Sequence, residues 1–353
     1  MTDLLTRRLY NQHIAGASLG KVEDVVGLLG AVQSQDYLGA KWSIGQRVLK
    51  GTDAGVDQAF NDGRILRTHV LRPTWHFVRP EDIRWMLQLT APHVHALNKY
   101  PHRICELDAP VLARTRRLIE RALEGGQSKT RKELAAILDK DRLGGSGLRM
   151  VCIMMNAELE GLVCSGPLKG KQHTYALLEG RVPPARARTR DDALAELARR
   201  FFTGHAPATV RHFAWWSGLS LKTARAGLEM VQHQLYSEAI YGHIFWSGTG
   251  PTPGRASLAA YLIPEYDESL TGYRDLGVPD MARPKGLTPK GDGSFRPIIL
   301  GGKRAGTWRR VLSGGRVVIE ANLFTKLTAA ESRALGAVVR RYGTFLNLPA
   351  TLH

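Results

Sequence analysis

Apolar side chains recur at helical spacing along much of the first two thirds of the chain and in short runs thereafter. A helical stretch is predicted over 3–13. Val22, Val25, Val26, Leu28, Leu29 and Val32 line one face of a second helix, which opens behind Ser18 and carries Glu23 and Asp24 in its first turn. This helix is expected to run straight into Gln33-Ser34-Gln35-Asp36, with a further helix over 40–48. After the turn residues Asn61-Asp62-Gly63 the pattern changes. Ile65 to Val78 mixes β-branched and aromatic residues with polar ones and reads as a hairpin bent at Arg72-Pro73. Pro80-Glu81-Asp82 starts another helix. Helices followed by a hairpin are the outline of a winged helix.

That outline recurs. Thr130 and Glu133 stand at capping-box spacing at the start of a helix. A second helix lies between Gly144 and Val163, and Cys164 to Leu178 reads as a hairpin with a basic Gly/Pro turn. A linker rich in Pro, Ala and Arg covers 181–190. Helices over 193–202, 207–216 and 220–231 and a strand-like run over 235–246 make a third copy, without detectable identity to the second. From Ala260 short strands alternate with glycine turns, at a spacing of roughly 8–12 residues that suggests a small antiparallel barrel. A helix over 329–342 lies near the end. The expected class is α+β: three tandem winged-helix modules over 1–115, 116–185 and 190–255, then a C-terminal antiparallel β-barrel over 256–353.

The composition fits a chain with a buried core. Of 353 residues, 43% are hydrophobic and 23% charged, which excludes a disordered, collagen-like or miniature disulfide-stapled protein. No apolar run of about 18 residues occurs, so no membrane span is expected. The N-terminus lacks the apolar core of a signal peptide, and cytoplasmic residence is the default expectation. Charge changes the picture more. Lys and Arg number 49 against 32 Asp and Glu, a net of +17, and 281–353 alone holds 13 basic and 3 acidic residues. Such an excess points to a polyanion, most simply nucleic acid.

Few residues suggest chemistry of their own. The three cysteines form no CxxC pair, and Cys152 sits in an apolar helical run as a core residue. His93-x-His95 lacks further ligands at metal-binding spacing, so neither metal nor cofactor is expected. No Gly-x-Ser-x-Gly or phosphate-binding glycine loop stands in a convincing context, and Gly144 to Gly147 reads as a turn. Asp267 and Asp275, in an acidic cluster around Arg274, could hold a general base, but an ion-pair network fixing a loop is the simpler reading.

Three segments resemble the winged-helix DNA-binding domain family that includes the AlkZ-like DNA glycosylases. Ala31-Val32-Gln33-Ser34-Gln35-Asp36 is similar to its Gln-apolar-Gln signature, and Arg67 to Val78 to its Arg-Thr-x-x-Met-Arg-x-Thr-x-His hairpin. The third segment runs from Tyr261 to Asp267 and Tyr273-Arg274-Asp275, followed by Gly306-Thr307-Trp308-Arg309. The order of the three spans most of the chain. The resemblance implies three winged helices and a β-barrel around a DNA-sized concavity, and removal of bulky or cationic alkylated purines without metal or cofactor.

By motif position, the resemblance makes Gln33 and Gln35 the catalytic pair. A glutamine amide does not titrate, so it can orient a water but not act as a strong base. That suffices for an already activated leaving group such as a cationic N7-alkylpurine. Ser34 stands where the family has an apolar residue; on a helix it points away from the glutamines toward packing. Asp36 is expected to be an ion-pair partner. The same hairpin implies DNA contacts from Arg67, Arg72, Thr74 and His76, although a buried His76–Thr74 hydrogen bond is an equal reading. Lys169 and Lys171 flank Gly170 at a wing turn, and Lys303 and Arg304 stand at a strand turn; both pairs suit phosphate contacts. The expected partner is double-stranded DNA, alkylated, met by a monomer. The alternative is a non-catalytic DNA-binding regulator or lesion sensor, and a more distant one an RNA-associated factor.

Overall fold

The computed structural model describes residues 4–145, 147–185, 187–248, 250, 258–273 and 296–353. Arg274 and Asp275 lie outside the described residues. The protein is a mixed α+β molecule. Its first part contains α1 (Leu4–Asn11), α2 (Val22–Leu29), β1 (Val32–Gln33), α3 (Tyr37–Gly45), α4 (Asp53–Asn61), β2 (Leu66–His69), β3 (Trp75–Val78) and α5 (Pro80–Ile104). Next come α6 (Ala109–Leu123), β4 (Lys129–Thr130), α7 (Arg131–Lys140), α8 (Leu148–Leu159), β5 (Val163–Ser165), β6 (Thr174–Leu177) and α9 (Leu178–Arg181). Then follow α10 (Arg190–Gly204), α11 (Val210–Ser217), α12 (Leu221–Val231), β7 (Tyr236–Ile240) and β8 (His243–Ser247). The last part holds β9 (Ala260–Leu262), α13 (Glu268–Thr271), β10 (Pro297–Leu300), β11 (Lys303–Ser313), β12 (Arg316–Leu323), α14 (Ala329–Leu346) and β13 (Ala350–Leu352).

The first three parts share one plan. A helix, a short strand, two helices and a hairpin follow in order, and the short strand pairs with the second hairpin strand. The sheets are ordered β1-β3-β2 and β4-β6-β5. In the third part Ala208 alone takes the place of the short strand and pairs with Trp246 of β8. Local chemistry sets the helix starts. The Thr130 hydroxyl accepts from Glu133 N while the Glu133 carboxylate accepts from Thr130 N at 2.7 Å, the reciprocal cap expected there. Ser220 and Thr328 cap α12 and α14 in related ways.

Two expectations are corrected. The helix of Val22 stops at Leu29, because Gly30 takes φ 76° and turns the chain out of the helix. Val32 and Gln33 are strand, and Asp36 caps the next helix by accepting from Gly39 N at 3.2 Å. Among the described residues the C-terminal sheet does not close into the expected antiparallel barrel. Among the described residues it is an open sheet ordered β13-β12-β11-β10-β9, with β12 and β13 parallel. α14 lies against β9 and β13.

Two apolar cores hold the first part between its neighbours. One joins Leu66, Val70 and Val78 around the first hairpin to Met86 of α5 and to Phe201, Phe213 and Trp216 of the third part. The other joins Val26, Val32, Trp42 and Phe77 to Leu262, Ile298 and Trp308 of the C-terminal sheet and Tyr342 of α14. Each fully buried side chain of this size contributes about 1.5–3 kcal/mol relative to exposure. The hairpin that carries the quoted motif is thus packed from both sides.

Candidate active site and nucleic-acid interface

The site grows from the three-stranded sheet. β1 pairs with β3 so that Gln33 faces His76, and β3 pairs with β2 so that His76 faces Thr68. Directly opposed residues share a sheet face, so Gln33, His76 and Thr68 form a row across the strands. Val32, Phe77 and Arg67 form the row on the opposite face. Ser34 N donates to Trp75 O at 2.7 Å, which carries the extended chain on to Gln35. β1 ends at Gln33, and Gln35 lies two residues on in a bend just before Asp36 caps α3. Gln33 is buried, at 7% exposure, and Gln35 is exposed. Trp75 N donates to Gln35 Oε1 at 3.5 Å.

Ser34 has a definite job. It is fully buried, and Arg67 donates from Nη2 to its carbonyl at 3.0 Å and from Nε to its Oγ at 3.3 Å. The same guanidinium lies over the Trp75 ring, 4.3 Å from its centroid, and Arg67 N donates to Ser165 Oγ at 2.8 Å. Burial lowers the pKa of Arg67. Arg67 thus uses its hydrogen bonds inside the protein, as the support of the turn between the glutamines. Trp75 also packs against His69, with ring centroids 4.5 Å apart and planes tilted by 42°, and His69 bonds the buried Glu158 carboxylate.

Arg72 reaches Gln33 directly, donating from Nη2 to Oε1 at 2.9 Å. Its backbone is aimed by Leu71, a buried residue in the left-handed region at φ 65°. His76 is fully buried and donates from Nδ1 to Thr74 O at 2.9 Å. Its Nε2 therefore carries a lone pair, and that atom has no partner among the described residues; nor have the hydroxyls of Thr68 and Thr74. The bond runs to the carbonyl of Thr74, not its hydroxyl. Burial first, and then the Arg72 cation, push the His76 pKa down to about 3, so the ring is neutral at physiological pH.

A residue that sequence patterns did not single out completes the cluster. Glu268, at the start of α13, has no exposed surface. Its Oε1 accepts from Gln33 N at 2.8 Å, and its Oε2 from Trp216 Nε1 at 2.8 Å and His205 Nε2 at 3.2 Å. Burial opposes its charge, but the His205 hydrogen bond first, and then the Arg72 cation, more than offset this and hold the carboxyl below the usual range. Its neighbour Asp267 is a different case. Arg47 grips it with two bonds at 2.8 and 2.9 Å, and Ser43 Oγ donates at 2.6 Å. Asp267 thus belongs to a loop-fixing network. Asp36 likewise pairs with Arg310 at 3.3 Å and Arg296 at 3.7 Å.

The basic turns stand on the hairpins. Lys169 and Gln172 exchange backbone hydrogen bonds of 2.9 and 3.1 Å around Gly170-Lys171, which makes a tight wing tip. Lys169 Nζ is 2.7 Å from the Glu133 carboxylate, whereas Lys171 is exposed and makes no ion pair among the described residues. This hairpin leans on the first part through Leu168 N, which donates to Asn61 Oδ1 at 2.8 Å, and through His173, 4.4 Å from the Tyr37 ring. Lys303 and Arg304 follow the two-glycine turn Gly301-Gly302. They lie seven and six residues along β11 from Arg310, about 20 Å at strand rise, and so at the far end of the sheet from Asp36.

The chemistry open to this arrangement is narrow. Two amides and a neutral imidazole can hold water; the Glu268 carboxylate beside Gln33 is sealed from solvent, and the Asp36 carboxylate next to Gln35 is taken up by Arg310 and Arg296. Among the described residues no group of His, Cys, Asp and Glu is placed to hold a metal ion, and no helix is long and apolar enough to cross a membrane.

Comparison with known proteins agrees with this geometry. An interstrand DNA cross-link repair glycosylase of Streptomyces sahachiroi is 23% identical over 233 residues, which are 60% of this chain and 59% of that protein. The chain thus matches less than two thirds of that relative's length. The structure of Streptomyces sahachiroi DNA glycosylase AlkZ shares the fold, with a TM-score of 0.80 at 19% identity over 100% of this chain and 99% of that one. A sequence profile described as DNA glycosylase AlkZ-like matches residues 26–345. The chain belongs to the AlkZ-like DNA glycosylase family.

Proposed function

We propose that this protein is a DNA glycosylase that hydrolyses the N-glycosidic bond of cationic N7-alkylated purines in duplex DNA, with the attacking water held by Gln33 and Gln35. The observation that carries this reading is the placement of the two glutamines at the end of β1, beside a neutral His76, with the carboxylates next to them, Glu268 and Asp36, each engaged by other groups. An N7-alkylated purine leaves as a neutral base, so the reaction needs water positioning and charge stabilisation more than proton abstraction. The named relative repairs interstrand cross-links, and we extend the substrate class to purines whose N7 alkyl group is tethered to the other strand. The three repeated units read as winged helices that, with the C-terminal sheet, line a basic DNA-binding surface. Thr74, Lys169, Lys171, Lys303 and Arg304 then serve as contacts of a monomer with its duplex.

A second reading, a non-catalytic lesion sensor, is favoured by one contact: Arg72 already donates to Gln33 Oε1, the atom that would receive water. One assay separates the two. Purified protein is mixed with duplex DNA carrying N7-methylguanine, and free base is measured. Release by the parent is expected, with Gln35→Ala slower by about 100-fold, the cost of one positioning hydrogen bond in a preorganised site. DNA affinity should stay within about twofold, because an uncharged amide releases no counterions. A parent that binds the duplex and releases no base from a panel of alkylpurines is a sensor.

A further inference from the structure

The buried acids at positions 267 and 268 are adjacent in sequence but treated differently by the fold. Asp267 is quenched by a bidentate guanidinium, which leaves little field outside the pair. Glu268 is bonded by three single N–H donors, from Gln33, Trp216 and His205, and among the described residues no Lys or Arg stands within ion-pair distance of it. These hydrogen bonds keep the carboxylate ionised, and Arg72 nearby, with His205 when protonated, offsets only part of its charge, whereas Asp267 is fully paired. One of its two nearest donors, at 2.8 Å, is the backbone of a residue assigned to water positioning. Every oxygen contact points inward, so Glu268 cannot itself reach a nucleotide.

We propose that Glu268 is the fixed counter-charge of the site, a positioning residue that sets the Gln33 strand and stabilises the cationic sugar formed as the base departs. The proposal rests on the glycosylase reading above. In that reaction the C1′–N9 bond breaks and its electron pair stays on the purine, cancelling the ring cation. The sugar is left positive, water oxygen bonds to C1′, and the water's proton passes to solvent. The positive charge thus moves from the base, farther from the carboxylate, to the sugar, which the water on Gln33 must touch. A carboxylate about 8 Å from that sugar and about 12 Å from the base, at an effective dielectric of about 20, favours the moved charge and raises the rate by about 3-fold. The neighbouring titratable groups do not supply this charge. His76 is neutral, Arg72 and His205 can carry only positive charge, and Asp267 is paired.

A charge-sensitive ligand pair tests the proposal. Two duplexes are compared, one with a tetrahydrofuran abasic nucleotide and one with its pyrrolidine counterpart, which has the same shape and is cationic at pH 7. The parent should bind the cationic duplex more tightly. Glu268→Gln should lower that preference by about 10-fold or more, leave the tetrahydrofuran affinity within about twofold, and slow single-turnover base release by about 3-fold. A merely structural role would weaken both duplexes together. Glu268→Asp, which shortens the side chain and keeps the charge, should keep the preference within about threefold, and it decides the matter if Glu268→Gln does not fold. An unchanged preference in Glu268→Gln, or its loss in Glu268→Asp, overturns the proposal. A parent that releases base yet shows no preference overturns the counter-charge alone. A parent that releases no base and shows no preference overturns the glycosylase reading with it.

Discussion

His76 concentrates the residue-scale chemistry. Its ring is locked in one tautomer by the Thr74 carbonyl, and its pKa lies near 3 against about 6.5 when unfolded. The sign of the linkage follows. Below pH 6.5 the unfolded chain binds a proton that the folded one refuses, so stability is fully present above pH 6.5 and is lost as pH falls toward 3. His173, lowered to about 4 by burial first, acts in the same sense. Replacing His76 with Asn should therefore make the loss of stability between pH 6.5 and 4 shallower by about 1.4 kcal/mol per pH unit. Urea unfolding of parent and variant at several pH values measures it; parallel curves would show a ring that titrates normally. For the same reason base release should carry no inflection from His76 between pH 5 and 8.

At the scale of elements, two left-handed corners meet where α11 touches the first hairpin. Gly218 ends α11 at φ 71°, and a Cβ there would stand 2.4 Å from Leu71 O. Leu71 is itself left-handed, and Arg72 follows it. Gly218→Ala should cost about 1–3 kcal/mol in thermal or urea unfolding and displace Arg72 from Gln33. Base release should then fall by up to about 100-fold. Normal stability and rate would mean that the corner yields freely. Much of this level was legible in the sequence. The Ile65–Val78 hairpin and the Thr130–Glu133 box are short-range patterns that appear where expected. α4 was missed although Thr52 caps it and Val56, Ala59 and Phe60 mark its face. Apolar spacing alone carries the α2 pattern on to Gln33, and Gly30, at φ 76°, is the residue that ends the helix before the strand. The difference matters, since helical backbone would set Gln33 and Gln35 about 200° apart. Glu268 could not be read at all, because its bond to Gln33 joins residues 235 apart. Closure of the C-terminal sheet was equally hidden, as strand spacing does not say whether β9 and β13 meet.

For the molecule as a whole, the basic excess should appear as salt dependence. Duplex affinity should fall steeply as salt rises, each neutralised phosphate contributing about 0.9 to the logarithmic slope. The Glu133 contact already engages Lys169, so the two wing lysines are unequal. Lys171→Ala should reduce the slope by about 1 and Lys169→Ala by less, a refinement measurable by fluorescence anisotropy at several salt concentrations. Equal effects would show that Glu133 releases Lys169 on binding. The repeated plan of the first three parts has one more consequence. Copies that arose by duplication can in principle be exchanged, deleted or borrowed from cousins. Here Arg8 donates to Pro207 O, Arg7 pairs with Glu238, and the Gln33 strand leans through Glu268 on Trp216 and His205. A hybrid that swaps 190–248 for the same stretch of a distant relative must match all of these seams at once. The third copy is therefore inherited with the first, and lineages should diversify by remodelling wing tips and turns rather than by shuffling units.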